Sequence, residues 1–190
     1  MITPRKLWGG LGNEMFQHAF IYSQMKEGKI PDIYLQDEKY FKEFSDDIKA
    51  IYGLGVESIN RVSIHVRRGD YVNNSFYVDL NQTDYYDRAI ALFPDDKFLV
   101  FCADRQEGSD DIGDMEWCKE RFQGNRFAFF QGKDEIEDMN KMASCKGHIM
   151  ANSSFSWWAS YLGGGKVVAP KEWFTDGVSR ITLLDSWIKI

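Results

Sequence analysis

Short apolar runs alternate with helix-like segments from residue 61 to residue 170, and this alternation constrains the fold most. The run at 98–102 (FLVFC) is apolar throughout, as is typical of strands buried on both faces of a parallel sheet. The intervening segments are long enough for right-handed helical crossovers. The pattern predicts an α/β fold with strands at 62–66, 98–102, 127–130, 148–151 and 166–170, and helices at 83–93, 114–122, 134–145 and 154–162.

The first 60 residues are less regular. A strand ending at Trp8, a glycine-rich turn at 9–13 and a helix at 14–26 are expected, with Asn13 as the helix N-cap. A second strand is expected at 33–35 and a second helix at 38–51. The length of 190 residues suits one large domain or two small ones.

The charge balance limits the classes of ligand. The chain has 29 acidic and 23 basic residues and a net charge of −6. This argues against general nucleic-acid binding, which needs a basic face. An anion site must therefore be a local concentration of positive charge on an acidic body.

The cysteines and the hydropathy bear on location. Cys102, Cys118 and Cys145 are an odd number without close metal-ligand spacing, which predicts reduced structural thiols, with Cys102 on a strand and the other two on helices. The N-terminus has no apolar run of signal-peptide length, and the sequence has no run of 18 apolar residues. We therefore expect a cytoplasmic protein without a membrane-spanning segment.

Two arginines follow the strand at 62–66, in the sequence Arg67-Arg68-Gly69-Asp70. Gly69 permits a sharp turn. Arginine suits bidentate contacts with phosphate oxygens, and the carboxyl edge of a parallel sheet is where α/β proteins bind ligands. The alternative is a solvated turn with a surface ion pair between one arginine and Asp70.

A second polar cluster, Asn152 to Ser156, follows the strand at 148–151 and opens a helix. Its hydroxyls and first-turn N–H groups suit phosphate oxygens. The alternative is that Ser153 or Ser154 is only an N-cap and that the following tryptophans are only core.

Asp104 and the glycine-rich turn are further candidates. Asp104 follows the strand at 98–102 and suits the N1–H and 2-amino groups of guanine, or it is an ordinary loop residue. The turn at 9–13 brings N–H groups towards an anion, or it is a tight connection without a ligand; it has neither the dinucleotide nor the Walker spacing. If the topology is right, these motifs line one crevice, with the base of a nucleoside diphosphate near Asp104 and the diphosphate between Arg67, Arg68 and the serines.

Three stretches, GGLGNEMFQHAF (9–20), HVRRGDYV (65–72) and NSSFSWWASYL (152–162), resemble the signatures of the bacterial α-1,2-fucosyltransferases, glycosyltransferase family eleven. The resemblance implies a GT-B fold of two Rossmann-like halves with parallel sheets, the N-terminal half much reduced. It implies a reduced acceptor-side domain at 1–58, a Rossmann-like GDP-sugar-binding domain at 59–170, and a tail at 171–190 packing across both.

The implied activity is inverting transfer of L-fucose from GDP-β-L-fucose to a galactose-terminated glycan in α-1,2 linkage. Neither a metal nor a cofactor beyond the GDP-fucose donor is implied, and the implied location is the cytoplasm or the inner face of a bacterial membrane.

The resemblance also implies residue roles. Arg67 is expected to hold the β-phosphate, and His65, Arg68 and Asp70 to shape the same site. Asp70 is the preferred base; His18 is less favoured because it is expected to pack on its helix. An arginine partner would make Asp70 a poor base, and an oxocarbenium-like transition state needs little base help. The remaining expected contacts are Asn152, Ser153, Ser154, Phe155 and Ser156 with the diphosphate, Asp104 with guanine, and Gly10, Gly12 and Asn13 opposite the fucose.

The chain departs from the family pattern in two ways. Glu14 replaces the usual glutamine, and only 44 residues separate Phe20 from His65, where family members have far more chain. Two alternatives to a transferase are therefore a GDP-sugar-binding or degenerate homologue with an assembly role, and a phosphate-binding α/β protein unrelated to sugars. A shortened first domain also leaves a homo-oligomer open, in which a partner chain covers exposed apolar surface.

Overall fold

A computed structural model describes residues 10–27, 36–52, 58–102 and 113–190 of the chain. Within these ranges six strands form one sheet, in the order β3-β2-β1-β4-β5-β6, and every neighbouring pair is parallel. The strands are β1 (Ile59–Val66), β2 (Phe98–Cys102), β3 (Phe127–Phe130), β4 (Cys145–Ile149), β5 (Lys166–Ala169) and β6 (Ile188–Lys189). The α/β fold with a parallel sheet is confirmed.

Helices cover both faces of this sheet. They are α1 (Leu11–Glu27), α2 (Ser45–Tyr52), α3 (Tyr85–Ala91), α4 (Asp114–Arg121), α5 (Glu135–Ala143) and α6 (Ser154–Gly163). The strand order is that of a doubly wound Rossmann-like sheet, whose direction of winding reverses between β1 and β4. Ligands of such sheets bind outside the carboxyl ends of the strands at this reversal.

The two faces have separate cores. On one face, Val62, Ile64 and Val66 of β1 pack with side chains of α3 and α4, among them Tyr86 and Cys118. On the other face, side chains of α1, α2, α5 and α6 form a second core. The second core is rich in aromatic rings, with Phe16, Phe41, Trp157, Trp158 and Trp187 all buried.

Helix α1 belongs to the second core. The ring of Phe16 lies 4.5 Å from that of Trp157 and 4.8 Å from that of Trp158. The predicted helix is confirmed, but it begins at Leu11, so Asn13 lies in its first turn and the prediction of Asn13 as N-cap is wrong. His18 is exposed on α1, so the expectation that it packs there is also wrong.

The second helix and the fourth strand also differ from the prediction. Residues 38–51 are not one helix: two short 3₁₀ turns, Glu38–Tyr40 and Lys42–Phe44, precede α2. They are separated by Phe41, whose φ of −140° leaves the helical region while its ring is buried. Strand β4 begins at Cys145, inside the predicted helix. The sequence pattern hides this start, because exposed Lys146 and Gly147, which has no side chain, interrupt the apolar run of the strand. Cys145 is thus on a strand, and all three cysteines are free and buried.

The C-terminal segment joins the sheet. Strand β6 pairs with β5, and an isolated antiparallel bridge links Tyr77 to Phe174. No helix in the described ranges has the length and apolar composition needed to cross a bilayer. The predicted strands at 33–35 and before Trp8 lie outside the described residues, and the division of the chain near residue 58 stays a prediction.

Candidate functional site

A cleft of about 540 Å³ lies at the carboxyl ends of β1, β2 and β4, where the winding of the sheet reverses. It brings together residues from stretches far apart in the sequence. Of the residues predicted from the sequence, those lining it are Gly10, Gly12, Asn13, His65, Arg67, Asp70, Ser153, Ser154 and Phe155. The three sequence motifs therefore meet in one hollow.

The two neighbouring arginines have different surroundings. Arg67 lines the cleft, and its Nη2 lies 2.6 Å from Asp70 Oδ1. Arg68 instead engages α4, with its Nε 2.9 Å from Asp114 Oδ1 and its Cζ 4.3 Å from the centre of the Trp117 ring. Successive residues of a strand point to opposite faces, and this alternation continues through the pair. Arg67 is thus the cleft residue, and Arg68 supports the turn from behind.

The turn after Arg68 is held by the same α4 carboxylate. Gly69 has a φ of +50°, which favours glycine, and its N–H donates to Asp114 Oδ2 over 2.9 Å. This turn places Asp70, whose side chain is 60% exposed, beside Arg67. The surface ion pair expected under the alternative interpretation is therefore present, but it lies at the margin of the cleft.

His65 is the most deeply buried polar group of the cleft. Burial, and then the charge of Arg67, lowers the pKa of His65 from 6.5 to about 3, so the ring is neutral near neutral pH. Its Nδ1 and the Nε of Arg67 are both buried and have no hydrogen-bond partner in the part of the chain that the structure describes. Such groups are costly unless a water or a ligand satisfies them.

The amino ends of α1 and α6 converge on the cleft. Gly12 makes this approach close: a Cβ there would lie 2.6 Å from the Phe155 nitrogen and 2.7 Å from the Ser154 carbonyl carbon. Asn13 Oδ1 accepts hydrogen bonds from Ser154 Oγ (3.0 Å) and Gln36 Nε2 (2.7 Å), which joins the two helices. Two positive helix ends beside Arg67 form a site suited to an anion.

The serines at the start of α6 have different roles. Ser153 caps α6 by accepting a hydrogen bond from the Phe155 N–H, and both Ser153 and Ser154 line the cleft. Ser156 is buried and donates to the carbonyls of Ala151 and Ser153. Part of the predicted diphosphate contact is therefore a local capping structure.

Asn152 is also buried, and its side chain is used inside the protein. Its Nδ2 donates to the carbonyls of Val78 (2.8 Å) and Trp173 (3.1 Å), and its own carbonyl accepts from the Tyr71 hydroxyl (3.2 Å). Asn152 thereby ties together the loop after β1, the turn before α6 and the C-terminal segment.

Two groups of lining residues were missed in the sequence. Glu135 and Asp138 follow β3 on α5 and line the cleft, as do Phe101 and Cys102 at the end of β2. Ligands bind outside the carboxyl ends of parallel strands, and this rule, applied to the predicted strand at 127–130, would have indicated the region of these two residues. The aromatic residues Tyr71, Tyr77, Trp173 and Phe174 form another part of the lining. Asp104 lies outside the described residues.

Comparison with known proteins identifies the family. The model of glycosyl transferase family 11 matches residues 13–190. The chain belongs to this family. The prediction of the family is therefore confirmed, and its description is that of a family of glycosyltransferases.

Three relatives are bacterial and mammalian proteins. The chain is 34% identical over 167 residues to an α-1,2-colitosyltransferase of Escherichia coli, covering 73% of this chain and 54% of that protein. It is 27% identical over 188 residues to the O-antigen biosynthesis glycosyltransferase WbnK of Escherichia coli, covering 92% and 59% respectively. It is 25% identical over 139 residues to galactoside α-(1,2)-fucosyltransferase 2 of Sus scrofa, covering 67% and 38%. The chain spans little more than half the length of its bacterial relatives and less of the mammalian one.

Proposed function

We propose that this family 11 protein transfers L-fucose from GDP-β-L-fucose to a hydroxyl of a galactose-terminated glycan, in α-1,2 linkage, with inversion and without a metal ion. The observation that carries the proposal is the convergence of Arg67, neutral His65 and the amino ends of α1 and α6 on one cleft. The similarity to an α-1,2-colitosyltransferase and to a galactoside α-(1,2)-fucosyltransferase supports an α-1,2 glycosyltransferase.

The lining supports one orientation of the donor. The diphosphate lies between Arg67 and Ser154, where positive charge and N–H groups concentrate. The guanine extends towards Phe101 and Cys102, and Asp104 is two residues beyond Cys102 in the chain. The fucose then lies towards Tyr71 and Asp70.

The reaction follows from this placement. The acceptor oxygen bonds to C1 of fucose on the face opposite GDP, and the bond from C1 to the phosphate oxygen breaks with its electron pair passing to GDP. Arg67 and the helix amino ends stabilise the negative charge that develops on the phosphate. Preorganised donors of this kind are the alternative to a metal ion, which other transferases use.

Asp70 receives the acceptor proton in this scheme. In the structure, Arg67 Nη2 lies 2.6 Å from this carboxylate. A β-phosphate competes for the same N–H group, so donor binding frees the carboxylate beside the reacting hydroxyl. This exchange links base activation to occupancy of the donor site.

The wider organisation is also proposed. A GT-B arrangement with a reduced N-terminal half accords with the six-stranded Rossmann-like sheet and with the short separation of 44 residues between Phe20 and His65. The protein acts in the cytoplasm or at the inner face of a bacterial membrane. The identity to an α-1,2-colitosyltransferase favours a second candidate donor, the GDP-linked form of colitose, at the same site.

The test offers GDP-fucose and GDP-colitose in parallel with a panel of β-galactosides, with and without a chelator, and measures GDP release and glycan product. We expect product with one donor, unchanged by chelation. The Asp70→Asn variant is expected to lose turnover while it keeps GDP affinity. GDP binding without turnover on any acceptor would support the sugar-nucleotide-binding alternative, and absence of GDP binding would refute the proposal.

A further inference from the structure

A ladder of stacked side chains runs from Arg67 along one wall of the cleft. The Cζ of Arg67 lies 5.1 Å from the centre of the Tyr71 ring, within the range of a cation–π contact. The rings of Tyr71 and Tyr77 are stacked, with centroids 3.9 Å apart and planes 11° apart. Phe174 continues the ladder 5.5 Å from Tyr77, and Arg180 closes it with its Cζ 4.7 Å from the centre of the Phe174 ring.

The ladder is anchored by main-chain bonds. Tyr77 and Phe174 form an antiparallel bridge, and the Val78 N–H donates to the Trp173 carbonyl over 3.0 Å. The Tyr71 hydroxyl donates to the Asn152 carbonyl. The ring that faces Arg67 is thus fixed by three segments of the chain.

The contact with Tyr71 differs in kind from the contact with Asp70. An ion pair uses N–H donors in the plane of the guanidinium, and a phosphate must take those same donors. A ring face covers the plane of the guanidinium and leaves its N–H donors available. When a phosphate displaces Asp70, Tyr71 therefore remains able to orient Arg67.

We propose that Tyr71 is a positioning residue, which holds the Arg67 guanidinium in its phosphate-binding orientation before the ligand arrives. Fixing a long side chain in advance reduces the entropy lost on binding. The proposal rests on the proposed function, because it takes Arg67 as the phosphate ligand. The aromatic ladder thus supports Arg67, and because the ladder includes residues of the C-terminal segment, that segment contributes to the support.

A double-mutant cycle on GDP affinity, measured by calorimetry, tests the proposal. Tyr71→Leu removes the ring, and we expect roughly tenfold weaker GDP binding. Tyr71→Phe keeps the ring and is expected to restore affinity to within about twofold. In an Arg67→Ala background, titrated with GDP until the site is saturated, Tyr71→Leu is expected to weaken GDP affinity by less than a further factor of about two. The reason is that the group that Tyr71 positions is already gone.

Controls separate positioning from general damage. Tyr22→Leu makes the same substitution on α1, where Tyr22 packs on Phe44, and melting temperatures of all variants report stability. If Tyr71→Leu does not fold, Tyr77→Leu repeats the cycle one ring further away, with a smaller loss expected.

Equal losses in the two backgrounds, or unchanged GDP affinity in Tyr71→Leu, would overturn the positioning role while leaving Arg67 as the phosphate ligand. Unchanged GDP affinity in Arg67→Ala would instead overturn the proposed donor site.

Discussion

The two faces of β1 are equally inaccessible to solvent but carry opposite chemistry. Val62, Ile64 and Val66 face α3 and α4 and are fully buried. Ser63 and His65 face the other way, and they too are buried, at 1% and 5% exposure. The face with the polar groups also carries Arg67, because the alternation of side chains along β1 continues past the end of the strand. This face therefore leads to the cleft. Burial alone therefore does not distinguish core from site, whereas buried polarity does.

The polar face is only partly satisfied. Ser63 Oγ lies 2.7 Å from His148 Nδ1 in a hydrogen bond across β1 and β4, whereas His65 Nδ1 and Arg67 Nε have no partner among the described residues. An unmet buried polar group lowers stability by about 1–3 kcal/mol. The apolar face offsets this by packing, and the polar face keeps groups available for a ligand.

The largest expected effect comes from replacing each of the two arginines with alanine in turn. Arg67→Ala is expected to weaken GDP binding roughly 100-fold, because it removes charge-assisted hydrogen bonds to phosphate. The matched variant Arg68→Ala is expected to lower unfolding free energy by about 2 kcal/mol, since Asp114 loses its charged partner, with less than about threefold change in GDP affinity. Calorimetric titration and urea unfolding measure both. Similar GDP losses in the two variants would remove the distinction between the faces.

A pair of glycines tests the convergence of α1 and α6. Gly12→Ala places a methyl group within 2.6 Å of backbone atoms of α6, whereas Gly10→Ala meets nothing within 4 Å. We expect Gly12→Ala to cost about 1–3 kcal/mol of unfolding free energy and to weaken GDP binding as the helix ends separate. Gly10→Ala serves as the control for stability. Equal unfolding midpoints for the two variants would contradict the close approach.

Acid titration tests the buried imidazoles. Burial lowers the pKa of His148 from 6.5 to about 4, so between these values the unfolded chain binds a proton that the folded protein excludes. Stability therefore falls as pH falls below 6.5, by up to ~1.4 kcal/mol per pH unit for this group. His148→Asn is expected to remove this contribution from the slope of unfolding free energy against pH. Urea titrations at several pH values measure the slope. An identical slope in the variant and the parent protein would be the opposite result.

The smallest expected effect comes from the apolar face. The Tyr86 hydroxyl donates to the His65 carbonyl over 3.0 Å from beneath the sheet. Tyr86→Phe leaves this buried carbonyl without that donor, and we expect a loss of ~1 kcal/mol in unfolding free energy with unchanged GDP affinity. A marked loss of GDP affinity with unchanged stability would show that the apolar face also contributes directly to the site.

Sequence patterns predicted much of the sheet because buried parallel strands have a strong signature. Strand 98–102 was placed to the residue, and the polar residues that follow β1 and β4 do meet at one edge. The boundaries that failed were those where packing overrides local pattern. Phe41 breaks a helical pattern because its ring is buried against Trp158, with centroids 5.5 Å apart.

The site was less predictable than the fold. Sequence spacing brings Arg67 and Ser154 to one edge, but it does not say which of the two adjacent arginines lines the cleft. Nor does it reveal that Asn152 and Ser156 are turned inward, since a residue's hydrogen-bond partners depend on segments as distant as Val78 and Trp173. Tyr77 and Phe174 carry no local signal at all, because only their bridge across the chain makes them neighbours.

The side-chain amide of Asn152 joins the loop at Val78 to the segment at Trp173. For anyone building chimaeras between this protein and its relatives, residues 71–78, 152–156 and 173–175 thus form one exchangeable block. Replacing any of the three alone would mismatch hydrogen-bond donors and acceptors that pair across them, whereas moving all three transfers this wall of the cleft as a unit.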